Sequence, residues 1–221
     1  FSSAYVFNQN IGNWNVSNVT DMGSMFGRAS AFNQDLNSWN VAKVTDMSSM
    51  FSQAPAFNGN VSSWDVSKVI NMASMFNQAD AFNSDVSGWN TGNVTNMSSM
   101  FDRATVFNQN LNAWNVSKVT SLVRMFTAAT AFNGDVSSWN VGNVTAMVSL
   151  FSRASSFSGN VSSWNVSKVT SMYAVFDRAT SFTGNLSTWN VGNVLDMSYM
   201  FNQNTAFNSD ISMWNVSKVT N

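Results

Sequence analysis

The second half of the first complete repeat of this chain has apolar residues at Val19, Met22, Met25, Phe26 and Ala29. Steps of three and four residues are the spacing of an amphipathic helix. Thr20 followed by Asp21 supplies an N-terminal cap and an acidic first turn. The pattern therefore predicts a short helix over residues 21–29 and over the equivalent residues of every repeat.

The first half of the same repeat has a different period. Between Ile11 and Val16, the apolar residues Trp14 and Val16 alternate with polar Asn13 and Asn15. A period of two is typical of a β-strand. We therefore expect one strand of about three to five residues in each repeat, ahead of the helix.

The aromatic residues keep a period of 25 residues along the whole chain, with no insertion. All nine tryptophans obey it: Trp14, Trp39, Trp64, Trp89, Trp114, Trp139, Trp164, Trp189 and Trp214. So does one row of phenylalanines: Phe7, Phe32, Phe57, Phe82, Phe107, Phe132, Phe157, Phe182 and Phe207. The other nine phenylalanines form a second row from Phe1 through Phe26 to Phe201. The 221 residues therefore form an array of nearly nine units.

A single 25-residue unit cannot bury its own aromatic side chains, so the units must stack. We predict an α/β solenoid with one short strand and one short helix per coil, in which the Trp and Phe rows form a continuous core. Residues 1–221 are expected to be one solenoid array. Strands pack about 4.8 Å apart and helices about 8–10 Å apart, so the strands should lie on the concave face. Whether the helical segment is α or 3₁₀ stays open.

Asparagine follows tryptophan in eight of the nine units, and Asp65 is the exception. We interpret this row as a ladder of side-chain amides that hydrogen-bond along the stack, with a row of ligand-binding amides as the alternative. Its members are Asn15, Asn40, Asn90, Asn115, Asn140, Asn165, Asn190 and Asn215. The row that follows phenylalanine, beginning at Asn8, receives the same interpretation.

Composition excludes most catalytic chemistry. The chain has no His, Cys or Glu and a net charge of −1. It therefore has no imidazole or thiol for nucleophilic catalysis or metal binding, and no basic surface for nucleic acid. We predict no catalytic residue, no cofactor site and no metal site, with a weak calcium alternative in the row that contains Asp35, Asp85, Asp135 and Asp210. No segment is apolar enough to insert in a membrane.

Charged residues vary between the units. Arg28, Arg103, Arg153 and Arg178 are expected to be exposed helix positions that do not form a patch. Another row alternates between lysine and asparagine in most units. Either repulsion between neighbouring lysines or duplication of a pair of units explains this alternation.

Three phrases resemble the 25-residue repeat of BspA-like bacterial surface proteins. They are Trp-Asn-Val-Ser-Asn-Val-Thr-Asp-Met at 14–22, Phe-Asn-Gln-Asp at 32–35 and Met-Ser-Ser-Met-Phe at 47–51. This family is related to the leucine-rich repeats and occurs in mycoplasma surface lipoproteins. The resemblance covers the entire chain and implies a right-handed solenoid of the leucine-rich-repeat type, displayed at the cell surface.

The leading hypothesis is a non-enzymatic extracellular protein, either an adhesin or a surface spacer, that contacts proteins or glycans. The alternative is a structural subunit that assembles with copies of itself into a filament, sheath or appendage. Rows of Ser and Asn leave ice or small-ligand binding as a weaker hypothesis. Since no polar caps precede the first unit or follow the last, we expect the chain to be a segment of a longer array.

Overall fold

The computed structural model describes all 221 residues as one stack of coils. We number the coils from residue 7: coil 1 is 7–31, coil 2 is 32–56, and so on to coil 8 (182–206) and the partial coil 9 (207–221). A row is named by its first-coil position, so that row 24 contains Ser24, Ser49 and their equivalents. A single core of 64 buried apolar side chains runs through the stack. The expected solenoid of 25-residue coils is therefore what the chain forms.

The expected helix and strand of each coil are wrong. The chain has no helix and no extended strand, and its only β-pairing is a series of isolated parallel bridges. These bridges join Asp21, Asp46, Asn71, Asn96, Ser121, Ala146, Ser171 and Asp196 in succession. The α/β description is corrected to a solenoid built from turns.

Consecutive turns replace the predicted helix over residues 22–29. The amide of Met25 bonds to the carbonyl of Met22, and the amide of Ala29 to the carbonyl of Phe26, so each closes a four-residue turn. Ser24, the third residue of the first of these turns, has a φ of 56°. Such left-handed residues reverse the chain direction. The three-and-four spacing of apolar residues therefore fits a run of turns as well as a helix.

The same segment carries most of the hydrogen bonds between coils. The amides at positions 22, 24, 26 and 28 donate to the carbonyls at positions 46, 48, 50 and 52 of the next coil, at 2.7–2.9 Å. In an α-helix these amides would bond within their own coil. Here alternate residues point along the stack, so the coils bond to one another as strands do.

The spacing of equivalent rings shows where neighbouring coils lie closest. Rings of the Phe26 row are 5.5–5.8 Å apart, and those of the Phe7 row are 5.8–6.2 Å apart. The stacked Trp pairs are 6.0–6.5 Å apart. The coils are therefore closest near the hydrogen-bonded turns and wider at the tryptophans. We had expected the tryptophan side to be the narrow one.

Candidate functional site

The predicted aromatic rows lie in the interior. Internal tryptophans such as Trp64 and Trp89 are 2–3% exposed, and their rings lie nearly parallel at 6.2 Å. Each tryptophan from coil 2 onward also donates its indole N–H to a backbone carbonyl of the preceding coil, as Trp64 does to Leu36 at 2.9 Å. The sequence analysis did not anticipate this bond. Trp14, which has no preceding coil, is 46% exposed.

The two asparagine rows behave differently. In the row that follows tryptophan, Asn115 Oδ1 accepts a hydrogen bond from the amide of Ser117 at 3.0 Å, within its own coil. These side chains close local Asx turns and do not form the ladder we expected for this row. In the row that follows phenylalanine, Asn83 Oδ1 accepts from the amide of Asn108 in the next coil at 2.9 Å. The amides that bond along the stack belong to this second row.

The alternation of lysine and asparagine corresponds to a specific contact between coils. Lys118 Nζ donates to Asn93 Oδ1 at 2.7 Å, and the amide of Asn93 donates to the carbonyl of Ser67 at 2.7 Å. The same lysine contact joins Lys168 to Asn143. An asparagine therefore accepts the lysine of the following coil, which gives the alternation a structural role.

The aspartates of the calcium alternative also close local turns. Asp85 Oδ1 accepts from the amide of Ser87 at 2.8 Å, and hydrogen bonds from the amide and hydroxyl of Ser87 hold the pKa of Asp85 below its usual value. No three acidic side chains come together in a group that could hold a metal ion. The geometry therefore gives this row a role in the turns.

The strongest candidate for a binding site is a groove of about 480 Å³ on the turns of coils 4–8. We call the surface formed by rows 23, 24, 27 and 28 the turn face. The groove lies on this face and contains Arg103, Arg124, Arg153, Tyr173 and Tyr199. Three of the five arginines and two of the three tyrosines of the chain therefore line one groove. The expectation that the arginines form no patch is wrong for Arg103 and Arg153.

A buried ion pair holds one of these arginines. Arg124 Nη2 lies 2.9 Å from Asp102 Oδ2, and the Asp102 side chain is 4% exposed. Arg103 Nε is 3.9 Å from Asp102 Oδ1, an oxygen that has no hydrogen-bond partner. Burial raises the pKa of Asp102, although Arg124 and Arg103 oppose this effect. Asp102 therefore restrains the guanidinium of Arg124 at the edge of the groove.

The rest of the groove offers a free cation and an aromatic surface. Arg153 is exposed and has no acidic side chain within 4.0 Å. Tyr173 and Tyr199 are 38% and 61% exposed, and their rings meet edge to face at 5.7 Å. Opposite the tyrosines, Asp177 receives hydrogen bonds from Ser152 and Asn202. Asp177 is thus satisfied by its neighbours and leaves Arg153 unpaired.

The sequence analysis missed Arg124, Tyr173 and Tyr199. Row 24 has serine in five of its eight members, so Arg124 and Tyr199 are departures from the repeat. Tyr173 is likewise the only aromatic residue in row 23. A search for rare residues in otherwise uniform rows would have identified all three.

Comparison with known families places the whole chain. A family model described as "Mycoplasma protein of unknown function, DUF285" matches residues 1–88, 59–164 and 146–221. The chain belongs to the DUF285 family. No curated protein matches it in sequence. The structure of this DUF285 chain contains no helix of the length and hydrophobicity that a membrane crossing requires.

Several solved structures are similar to a limited degree. Internalin C2 of Listeria monocytogenes has 10% identity and a TM-score of 0.34, with 89% of this chain and 78% of that protein covered. The leucine-rich repeat domain of APL1B has 10% identity and a TM-score of 0.35, covering 94% and 63%. The TLR13–ssRNA13 complex has 11% identity and a TM-score of 0.29, covering 87% and 34%. With TM-scores below 0.5, these likenesses establish neither the fold nor a function of the DUF285 chain.

Proposed function

We propose that this chain is a non-enzymatic, BspA-like repeat protein of the cell surface that acts as an adhesin, with the groove on the turn face as its binding site. The observation that carries the proposal is the concentration of arginine and tyrosine in that groove. The core rows are uniform from coil to coil, so these residues are not required by the fold. Exposed aromatic and arginine side chains are the residue types that dominate protein binding sites.

Two further features support a binding role. The chain has no His, Cys or Glu, and its acidic side chains do not gather into a paired catalytic site. The groove volume of about 480 Å³ is within the range of known ligand pockets. A rigid stack of coils also holds such a groove at a fixed position along the array.

The proposal is tested in two measurements. Antibodies against the chain should label intact cells of the organism that carries it, and labelling only after lysis would contradict the surface location. The purified chain should bind host cells, and Arg153→Gln together with Tyr173→Ser should weaken that binding. Glutamine and serine occur in the same rows at Gln78 and Ser98, so both changes are compatible with the fold.

Arg28→Gln is the matched control, because it removes the same charge from row 28 in coil 1, far from the groove. Equal binding by the groove variant and by this control would refute the groove as the adhesive site. Light scattering over a range of concentrations separates adhesion from self-assembly. A mass that rises with concentration would instead favour assembly of the chain with its own copies.

A further inference from the structure

We infer that the groove on the turn face binds an acidic oligosaccharide, with Arg153 as the residue that pairs with the sugar carboxylate. This inference rests on the proposed function of the same groove and names its ligand class. The groove brings together an unpaired guanidinium, an exposed pair of tyrosine rings and a set of short polar side chains.

The charge of the groove favours an anionic ligand. Its lining contains three arginines and one aspartate, on a chain whose net charge is −1. Arg124 is held by Asp102, whereas Arg153 has no carboxylate within 4.0 Å. A planar guanidinium binds a carboxylate through two parallel N–H donors. Arg153 is therefore free to bind the ligand, and Arg124 is positioned beside it.

The backbone beneath the groove excludes recognition of a peptide by strand addition. The amide of Arg124 donates to Val148, the amide of Ser149 donates to Tyr173, and the amide of Ala174 donates to Ser198. Because these groups are already paired between coils, the groove presents no row of free donors and acceptors to an extended peptide. Binding must depend on side chains.

The neutral side chains of the groove match a ligand rich in hydroxyl groups. Thr127, Ser149, Ser152 and Asn202 line it, and each offers a hydroxyl or amide that can both donate and accept. The exposed ring of Tyr199 provides a flat apolar surface with a polar tip. The C–H face of a pyranose ring packs on such a surface while its hydroxyls reach the polar side chains. A sugar that also bears a carboxylate satisfies Arg153.

The experiment uses the full chain and measures affinity by calorimetry at low ionic strength. The acidic probes are 3′-sialyllactose and a hyaluronan tetrasaccharide, and lactose is the neutral control. Hexaglutamate tests an acidic peptide, and sodium sulfate tests a simple anion. We expect both acidic sugars, or one of them, to bind at least about tenfold more tightly than lactose, hexaglutamate and sulfate.

The variants test the residues. Arg153→Gln should weaken binding of the acidic sugar by about ten- to a hundredfold, whereas Arg28→Gln should leave it unchanged. Tyr173→Ser should weaken binding of the acidic sugar and leave the thermal unfolding of the chain nearly unchanged. Added salt should weaken binding by the wild-type chain more than binding by Arg153→Gln.

Several results would overturn the inference. It fails if no acidic sugar binds, if lactose binds as tightly as sialyllactose, or if hexaglutamate is the preferred ligand. Equal effects of Arg153→Gln and Arg28→Gln would also refute it. If the chain still binds cells through the groove in any of these cases, only the ligand class is wrong. If groove variants change neither sugar nor cell binding, the proposed function fails as well.

Discussion

Removal of Arg124 tests the buried ion pair most directly. We consider Arg124→Ser, which restores the residue found at this position in most coils. The change leaves the carboxylate of Asp102 in the interior, where the residue is 3% exposed and one oxygen already lacks a hydrogen bond. The variant must then retain a buried charge with a single distant cation, Arg103, at 3.9 Å.

The magnitude follows from the burial of the two partners. Breaking a fully buried ion pair by removing one partner costs about 3–5 kcal/mol. The Arg124 side chain is 48% exposed, so part of the pair is screened by solvent. We therefore expect Arg124→Ser to lower the free energy of unfolding by about 2 kcal/mol at pH 7, or the melting temperature by about 4–8 °C.

The sign of the pH dependence follows from the raised pKa of Asp102. Between the ordinary aspartate pKa and the folded-state pKa, the folded state binds more protons than the unfolded state. The free energy of unfolding therefore falls as the pH rises through this window. Arg124→Ser removes an opposing positive charge and raises the folded pKa further. Its destabilisation should be large at pH 7 and should disappear below the ordinary aspartate pKa of about 3.9.

A double-mutant cycle isolates the pair. Asparagine occurs in the row of Asp102 at Asn77 and Asn202, so Asp102→Asn is compatible with the fold. We expect the double variant to recover most of the stability that Arg124→Ser loses, with a coupling energy of about 1.5–2 kcal/mol. Urea unfolding at pH 7 and pH 3.5, followed by tryptophan fluorescence, measures both quantities. A loss below about 0.5 kcal/mol at pH 7, or an equal loss at both pH values, would refute the reasoning.

Three other predictions concern the backbone and the core, and urea unfolding measures each. Ser74 has a φ of 57°, so Ser74→Gly should stabilise the chain by about 0.5–1 kcal/mol, whereas glycine at the preceding residue, whose φ is not positive, should destabilise it; equal effects would refute left-handed strain. Gly134→Ala should destabilise by more than about 2 kcal/mol because its methyl would overlap the carbonyl oxygen of Gln109, and Gly88→Ala, with open space around it, should not. Trp114→Phe should cost about 2–3 kcal/mol because it removes the indole N–H bond to the preceding coil; a cost below about 1 kcal/mol would count against that bond.

The core could be predicted from the amino-acid sequence because its signal does not depend on the type of secondary structure. A tryptophan at a fixed interval of 25 residues has an equivalent tryptophan in each neighbouring coil, whatever backbone carries it. The rings of Trp89 and Trp114 accordingly lie 6.2 Å apart and nearly parallel. The indole N–H bonds depend on the backbone carbonyls nearby, so the spacing of tryptophans alone could not reveal them.

The helix was wrongly predicted because apolar spacing does not distinguish a helix from a run of turns. Met22, Met25, Phe26 and Ala29 all face inward in the structure, as a helix would place them. The distinction lies in the amides at positions 24 and 28, which bond to the next coil. Serine, arginine and glutamine occupy the left-handed positions, where glycine or asparagine would have indicated turns.

That error also concealed the groove. On stacked helices, Arg103 and Arg153 would lie two coils apart, at about 16–20 Å, with too little overlap for a shared ligand. On the turn face the coils repeat at close to the 5.5–5.8 Å spacing of the Phe26 row, so two coils amount to about 11 Å. At that separation one oligosaccharide can reach both arginines and the tyrosines beyond them. The binding proposal therefore depends on the turns: a helical segment at these positions would have separated the charges that the groove brings together.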